Sequence, residues 1–161
     1  MLMRIRTEVL DDICRHALET YPSECCGFLT APDLEEPITD SIPCANAQDR
    51  LHGEDPVRYP RTSREAFYID DAELFSVYRH IAEREYHIVG VYHSHIDVDA
   101  FFSDEDRRLA IVNGEPVWPE AHYVILSVSK SGIEHINCYH WNCEQSDFVE
   151  ETIETEEARS L

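Results

Sequence analysis

The chain contains 161 residues, of which 43% are hydrophobic and 10% aromatic, and it has only 5 Gly and 8 Pro. This length predicts one domain with a substantial hydrophobic core, and the composition excludes collagen-like, coiled-coil and wholly disordered proteins. The 13 basic and 33 acidic side chains give a formal net charge of −20, which argues against nucleic-acid and membrane-surface partners because both carry negative charge.

The first elements along the chain are a helix and two strands. Residues 8–20 present apolar side chains on one helical face, and Thr7 precedes them as a candidate N-cap. The short apolar run from Cys25 to Leu29 predicts a buried strand, and a second strand is predicted from Ile38 to Ala47. The polar stretch from Gln48 to Arg64 has no hydrophobic period and predicts a long surface loop.

A helix and the clearest strand occupy the middle of the chain. The helix is predicted from about Asp70 to Tyr86, and the strand from His87 to His95, where β-branched and aromatic residues are concentrated. A shorter helix is predicted from Ser103 to Val112. We expect the first of these helices to turn five side chains inward, namely Leu74, Phe75, Tyr78, Ile81 and Ala82.

Three further strands are predicted in the last part of the chain, at Tyr123 to Val128, Ile133 to Trp141 and Asp147 to Ile153. Strands interleaved with helices predict an α/β fold, a single domain with a mixed β-sheet flanked by helices. We expect this domain to span residues 1–153, and we expect residues 154–161 to form an acidic, frayed tail.

The cysteines and the N-terminal residues predict a cytoplasmic protein. The six cysteines include no C-x-x-C pair, so we expect mostly buried, reduced thiols, not a zinc ribbon or a redox pair. Residues 1–6 lack the apolar segment of a secretory signal, and no apolar run approaches the roughly 18 residues of a membrane span. The dispersed acids and the single lysine, Lys130, indicate adaptation to high salt.

His93 and His95 end the predicted middle strand. Because side chains alternate along a strand, both imidazoles emerge on one face, close enough to share a metal ion. A His-x-His pair alone is a weak signal, and two partly exposed histidines are the simpler interpretation. Requiring Ser94, Ser103 and Asp106 at their offsets as well reduces the chance expectation to on the order of 10⁻⁴. Two imidazoles and one carboxylate are the ligand set of a catalytic zinc site that keeps its fourth position for water.

Some of these residues have alternative interpretations. Ser103 and Asp106 also fit a capping box at a helix start, which requires no metal. Asp97 and Asp99 are rival ligands, although loop carboxylates are usually solvated. Glu24 is the best candidate for a catalytic base, since partial burial beside an apolar strand would raise its pKa. The alternative for Glu24 is a surface glutamate at a strand edge.

Taken together, the residues resemble the signature of the JAMM (MPN+) metalloproteases, E…H-[ST]-H-x7-S-x2-D. Glu24 is followed after 68 residues by His93-Ser94-His95, then after seven residues by Ser103, and after two more by Asp106. The segment from Tyr21 to Gly27 is similar to the P-x-E-x-C-G segment of the small prokaryotic members. The resemblance extends from about Ile5 to Ile153 and implies their α/β fold, which is of the JAMM and cytidine-deaminase type.

The resemblance implies a zinc-dependent peptidase or isopeptidase. Zn²⁺ would be held by His93, His95 and Asp106. Glu24 would act as general base and then as general acid, and Ser103 would stabilise the oxyanion. The small members include peptidases that trim the C-terminal tails of ubiquitin-like sulfur-carrier proteins. The expected partner is therefore a small ubiquitin-like protein that ends in Gly-Gly.

The chain departs from the family in the seven-residue loop between the ligands. Ile96 stands where the family often has Pro, and Phe101-Phe102 precede Ser103. The two aromatic side chains either line the substrate groove or anchor the loop in the core. The remaining strand-associated histidines have no partner spacing and are interpreted as structural: His87, His122, His135 and His140.

Two rival functions fit the sequence less well. A non-catalytic metal-binding scaffold of the same fold would not need Glu24, Ser103 and an open metal position. A zinc nucleoside deaminase would need H-x-E and P-C-x-x-C segments, which the sequence lacks.

Overall fold

Strands outnumber helices in the computed structural model, which describes residues 1–158. The helices are α1 (Thr7–Thr20), α2 (Gln48–Glu54), α3 (Asp71–Arg84) and α4 (Asp104–Ala110). The strands are β1 (Leu2–Arg6), β2 (Cys26–Ala31), β3 (Asp40–Cys44), β4 (His87–Ile96), β5 (Ile111–Val112), β6 (Glu115–Pro116), β7 (His122–Ser129), β8 (Gly132–Asn142) and β9 (Asp147–Glu156).

Seven strands form one mixed sheet in the order β1-β9-β8-β7-β4-β2-β3, and β5 pairs with β6 in a separate hairpin. The pairs β1/β9 and β4/β7 are parallel, and the other pairs are antiparallel. The mixed α/β fold predicted from the sequence is therefore confirmed. The middle strand β4 lies between β2 and β7 and is almost wholly buried, as the apolar run from Ile88 to Tyr92 predicted.

Each face of the sheet carries its own core. On one face, α1 buries Val9, Ile13 and Ala17, which recur every four residues and so lie along one side of the helix. They pack with Met3, Tyr92 and other buried residues, and burying an aliphatic side chain such as Ile13 contributes about 1.5–3 kcal/mol. The other face carries a second core that includes Cys26, Phe28, Val91, Tyr123 and Phe148.

The N-terminal strand β1 was not anticipated. It pairs in parallel with β9, and the register continues to Ile5 opposite Thr155 and Arg6 opposite Glu156. This pairing extends β9 three residues into the stretch predicted as a frayed tail, and residues 159–161 lie outside the described part of the chain. Thr7 as N-cap was wrong, because the chain passes directly from β1 into α1 and Arg6 occupies the cap position.

The predicted loop from Gln48 to Arg64 was wrong in its first half, where the chain forms α2. Polar contacts hold this helix, so it has no hydrophobic period for the sequence to display. The Asn46 carboxamide accepts the N–H of Gln48 at 3.0 Å, and the buried Gln48 side chain donates to the Arg61 carbonyl at 2.8 Å. Asp49 accepts the N–H of Ser63 at 2.7 Å.

The inward face predicted for α3 was wrong at three positions. Phe75 and Tyr78 are 70% and 46% exposed, and Ala82 is exposed as well. Val77 is the buried residue of this helix, so the face that α3 buries is narrower than the one predicted. The helix begins as predicted, since the Asp70 side chain accepts the N–H of Glu73 at 3.0 Å.

The helix predicted from Ser103 to Val112 ends early, at Ala110, because Ile111 is already extended and begins the β5/β6 hairpin. All six cysteines are free thiols and four are buried, as expected. None of the helices in residues 1–158 combines the length and apolar character needed to cross a membrane.

Candidate metal centre

Three side chains meet in a buried triangle at the end of β4. The Nε2 atom of His93 lies 3.0 Å from Asp106 Oδ1, and the Nε2 atom of His95 lies 3.2 Å from Asp106 Oδ2. The two Nε2 atoms are 3.2 Å apart. We call these three residues the ligand triangle. All three are buried, with no more than 8% of their surface exposed.

The strand places both imidazoles, and neighbouring groups fix their orientation. His93 and His95 point to the same face of β4, where the His93 ring stacks on Phe67 with ring centres 4.6 Å apart. The Asp99 carbonyl oxygen lies 2.9 Å from Nδ1 of His95. A carbonyl can only accept, so Nδ1 carries the proton and Nε2 is free to act as a ligand.

The short helix α4 places the carboxylate. Ser103 caps it and Asp106 is its third residue, so the predicted capping box is present: Ser103 Oγ accepts the Asp106 N–H at 3.1 Å, and Asp106 Oδ2 accepts the Ser103 N–H at 2.9 Å. This reciprocal pair satisfies two otherwise free N–H groups of the first turn. It also locks the Asp106 side chain against the two imidazoles.

The electrostatics of the triangle favour an ionised carboxylate. Burial alone would raise the pKa of Asp106, but the charge and hydrogen bonds of His93, with those of His95 and Ser103, hold it well below its usual range. Burial disfavours a charged His95, yet the hydrogen bond to Asp106, the charge of Asp106 and the hydrogen bond to the Asp99 carbonyl together outweigh burial and raise the pKa of His95. A buried negative charge thus faces two nitrogen atoms.

The triangle fits a divalent metal ion. Zn²⁺ bonds of about 2.0–2.1 Å in a tetrahedral site separate neighbouring ligand atoms by about 3.3 Å. The observed separations of 3.0–3.2 Å are close to that value. The donor set, two nitrogens and one oxygen, also suits such an ion.

Glu24 approaches the triangle from β2. Cys26 pairs with His93 in the antiparallel β2/β4 ladder, so the same register leads to Glu24 opposite His95 and on the same face. The ladder is reinforced beside Glu24, because the Ser94 hydroxyl accepts the Cys25 N–H at 2.7 Å. Glu24 is only 5% exposed, which is inconsistent with its alternative interpretation as a surface glutamate.

The buried position changes the acidity of Glu24. Burial, and then the nearby charge of Asp106, raises the pKa of Glu24 to about 9, while Arg61 acts in the opposite direction.

Close packing around β2 requires a glycine at position 27, three residues after Glu24. A Cβ atom at this position would lie 2.5 Å from the Ile42 carbonyl oxygen and 2.6 Å from the Tyr92 ring.

The two rival loop carboxylates point elsewhere. The Asp97 carboxylate pairs with Arg64 at 2.6 Å and accepts a hydrogen bond from the Tyr21 hydroxyl at 3.1 Å. Asp99 contributes its backbone carbonyl to His95, as described above. Neither side chain belongs to the triangle.

The sequence left open whether the two loop phenylalanines anchor the loop or line a groove, and the structure places them differently. Phe102 anchors the loop, since its ring stacks on Phe148 at 4.3 Å and contacts Tyr123 edge-on at 5.7 Å. Phe101 is 49% exposed, and its ring meets the edge of His95 with centres 5.2 Å apart.

Two cavities lie against α4, and one of them borders the triangle. One, of about 440 Å³, has a mostly apolar lining that includes His93, Asp106, Phe28, Phe102 and Trp118. The other, of about 420 Å³, is lined by three arginines, Arg58, Arg61 and Arg108, beside Tyr59 and Glu105. The sequence did not reveal this arginine-lined cavity, because the cations are separated by up to 50 positions along the chain and meet only when α4 packs beside residues 58–61.

Comparison with known proteins identifies relatives over most of the chain. Residues 6–143 match the family described as prokaryotic homologs of the JAB domain. The CysO-cysteine peptidases of Mycobacterium tuberculosis and Mycobacterium bovis are 30% identical to this chain over 123 residues, which is 76% of this chain and 71% of theirs.

Two solved structures share the fold. A protein from Desulfitobacterium hafniense superposes with a TM-score of 0.73 at 21% identity, covering 98% of this chain and 94% of that one. A protein from Salinibacter ruber gives a TM-score of 0.66 at 25% identity, covering 96% of this chain and 92% of that one.

Proposed function

Because the chain belongs to the prokaryotic homologs of the JAB domain, the small prokaryotic members of the JAMM (MPN+) family, we propose that it is a zinc-dependent peptidase or isopeptidase. Its substrate in this proposal is a ubiquitin-like sulfur-carrier protein, cleaved near its C-terminal Gly-Gly. The relationship to proteins named CysO-cysteine peptidases supports this substrate class, since that name describes cleavage of a cysteine adduct of a carrier.

One observation carries the proposal: a buried triangle of metal-type ligands has an equally buried glutamate beside it. His93, His95 and Asp106 are the proposed zinc ligands, with separations of 3.0–3.2 Å between their ligand atoms. A bound Zn²⁺ supplies Lewis-acid activation of water and of the scissile carbonyl. Side chains of the protein would carry out proton transfer and stabilise the oxyanion.

Glu24 is the proposed general base and acid. Its carboxyl group is buried, and without a cation nearby the pKa of Glu24 is raised to about 9 by burial and by Asp106. Positive charge at the triangle favours the ionised carboxylate, which can then accept a proton from the attacking water and pass it to the leaving amine. Burial keeps this exchange away from bulk solvent.

Ser103 is the proposed oxyanion donor. Its Oγ accepts the Asp106 N–H, so the hydroxyl proton remains available to donate. The capping box fixes the hydroxyl at the start of α4, next to the Asp106 ligand. A donor with its position fixed in advance stabilises charge that develops on the tetrahedral intermediate.

The two cavities suit the two ends of such a substrate. The apolar cavity borders His93 and Asp106 and can receive apolar carrier residues. The arginine-lined cavity suits the carboxylate of a released amino acid, since guanidinium groups bind carboxylates in a forked geometry. An extended Gly-Gly tail is narrow enough to pass between them, with main-chain hydrogen bonds to the protein.

The proposal is tested with a ubiquitin-like carrier that ends in Gly-Gly and bears one additional cysteine. Mass spectrometry should detect release of the cysteine by the zinc-loaded chain and no release after chelation. A matched carrier with Ala-Ala in place of Gly-Gly should be cleaved at least ten-fold more slowly. Intact carrier after incubation with zinc-loaded enzyme would favour the alternative, a non-catalytic metal-binding scaffold.

A further inference from the structure

A second group of metal-type side chains lies on the opposite face of the sheet from the ligand triangle. His122 begins β7, Cys138 lies in β8 and Glu151 in β9. Cys138 pairs with Val124 on one side and with Glu151 on the other, and Val124 lies two residues from His122. The ladder register therefore turns all three side chains to the face that α1 covers. We call them the strand cluster.

The ligand atoms of the strand cluster are in direct contact. His122 Nδ1 lies 2.5 Å from Glu151 Oε1, and Cys138 Sγ lies 3.2 Å from the same oxygen. All three ligand atoms lie within 4.8 Å of one another. The side chain of Glu151 is completely buried, whereas that of His122 retains 17% exposure and leaves a route from solvent.

Two further buried atoms, one in the strand cluster and one beside it, lack a hydrogen bond. Within residues 1–158, Glu151 Oε2 has no hydrogen-bond partner, and neither has Nδ1 of His140. These two atoms are 3.7 Å apart, too far for a hydrogen bond between them. Buried carboxylate oxygens normally have a hydrogen-bond partner, so this oxygen of Glu151 is available to a further partner.

We propose that His122, Cys138 and Glu151 bind a second divalent transition metal ion, of which Zn²⁺ is the expected one. A nitrogen, a sulfur and an oxygen are donors that Zn²⁺ accepts together, while Mg²⁺ and Ca²⁺ require oxygen donors throughout. Binding replaces the thiol proton of Cys138, which leaves to solvent. The ion also separates Oε1 of Glu151 from His122, and His140 Nδ1 lies next to the second carboxylate oxygen.

The proposed ion has a structural role. It connects β7, β8 and β9, and β7 is paired in parallel with β4, the strand that carries His93 and His95. Cys138 also contacts the sulfur of Met3 at 3.5 Å, so β1 packs against the same group. The site is independent of the peptidase proposal, because it shares no residue with the ligand triangle.

Cobalt substitution tests this site selectively. Only the strand cluster contains sulfur, so a thiolate-to-cobalt charge-transfer band in the near ultraviolet reports on it and not on the triangle. We expect the full chain, stripped of metal with a chelator and titrated with Co²⁺, to develop this band and to saturate it at one ion per chain. The absence of the band in folded protein would overturn the proposal.

Variants assign the band to its ligands. Cys138→Ser should abolish it, and the exposed Cys143→Ser is the matched control that should leave it unchanged. Glu151→Gln keeps the size of the side chain and should weaken Co²⁺ binding at this site at least ten-fold, with folding checked by circular dichroism. A band that persists in Cys138→Ser, or unaltered affinity in folded Glu151→Gln, would contradict the assignment.

Discussion

The ligand triangle and the strand cluster contrast two ways in which one sheet assembles metal-type side chains. The triangle comes from 14 consecutive positions, a strand end and the first turn of a helix, and His93 and Asp106 border a cavity. The strand cluster takes one residue from each of three strands, and the side chains of Cys138 and Glu151 are completely buried. Catalytic zinc sites keep one position open to substrate, and the cavity beside the triangle meets this requirement of the proposed chemistry. An ion bound by three strands would instead connect them, which is the stabilising role proposed for the strand cluster.

The largest effect is expected from removing a ligand of the triangle. His93→Ala should lose one metal ion per chain and all measurable cleavage, because two remaining ligands cannot hold the ion. Metal content by mass spectrometry and the carrier assay measure both effects. The thiolate-to-cobalt band should persist, which separates the two regions.

His87→Ala is the matched control for that variant. His87 lies at the exposed end of the same strand, so its removal should change neither metal content nor rate. Full zinc occupancy at the triangle in His93→Ala would contradict the proposed ligand set.

The next largest effect concerns Glu24. Glu24→Gln keeps the shape of the side chain but removes the proton acceptor, so the cleavage rate should fall about 10²–10⁴-fold while the metal content stays unchanged. Glu65→Gln is the control, since Glu65 is an exposed neighbour whose charge also acts on Glu24. Wild-type turnover by Glu24→Gln would exclude the proposed role.

Ser103→Ala should lower both the stability and the cleavage rate, and the sizes of the two losses distinguish the helix cap from the proposed catalytic hydroxyl. Loss of an N-cap side chain costs about 0.5–2 kcal/mol of unfolding free energy, while loss of an oxyanion donor lowers the rate about 10²–10³-fold. Denaturant unfolding and the carrier assay measure the two effects independently. Ser103→Thr retains the hydroxyl and should restore both. A rate that changes no more than stability explains would reduce Ser103 to a cap.

The last effect does not involve cleavage and is a pair of opposite pH dependences of stability in the metal-free protein. Burial raises the pKa of Glu24 to about 9 from an ordinary 4.5, so the folded chain retains a proton that the unfolded chain has released. Stability should therefore fall between these pH values, by at most about 1.4 kcal/mol per pH unit. Glu24→Gln should flatten this fall.

Glu151 should show the reverse dependence. Burial alone would raise the pKa of Glu151, but the hydrogen bond and charge of His122, together with Cys138 and His140, outweigh burial and lower it. Its contribution to stability is therefore present above the ordinary glutamate pKa and lost as the pH drops below it. Urea unfolding across pH, with chelator present, should show that Glu151→Gln reduces the acid-side loss by the share of Glu151, leaves the share of Asp106 and leaves the alkaline fall. Parallel curves for wild type and both variants would contradict these pH assignments.

The sequence could predict the features that depend on residues close together in the chain, but not those that depend on pairing between distant strands. Alternation along β4 and a single helical turn place His93, His95 and Asp106, so their spacing predicted that they would meet. Glu24 was proposed from the apolar strand beside it and from the resemblance, and not from its spacing to the ligands, since 68 residues of intervening chain fix no geometry. Register across β7, β8 and β9 brings His122 to Cys138 and Glu151, and strand register cannot be read from local spacing.

The same reason explains the errors in the fold. The strand β1 depends on pairing with β9 at the far end of the chain, and α2 is held by side-chain hydrogen bonds of Asn46 and Gln48. On α3, the apolar period indicated a wider buried face than the helix has, and Phe75 is exposed. Contacts with other parts of the chain determined these features, and the local pattern of apolar residues does not reveal such contacts.

Anomalous X-ray diffraction at the zinc absorption edge, on crystals grown with Zn²⁺, is the most direct test of the central claim. We predict an anomalous peak within bonding distance of Nε2 of His93, Nε2 of His95 and a carboxylate oxygen of Asp106. Zinc-containing crystals with no peak between these atoms, or with the three side chains turned away from one another, would contradict the account.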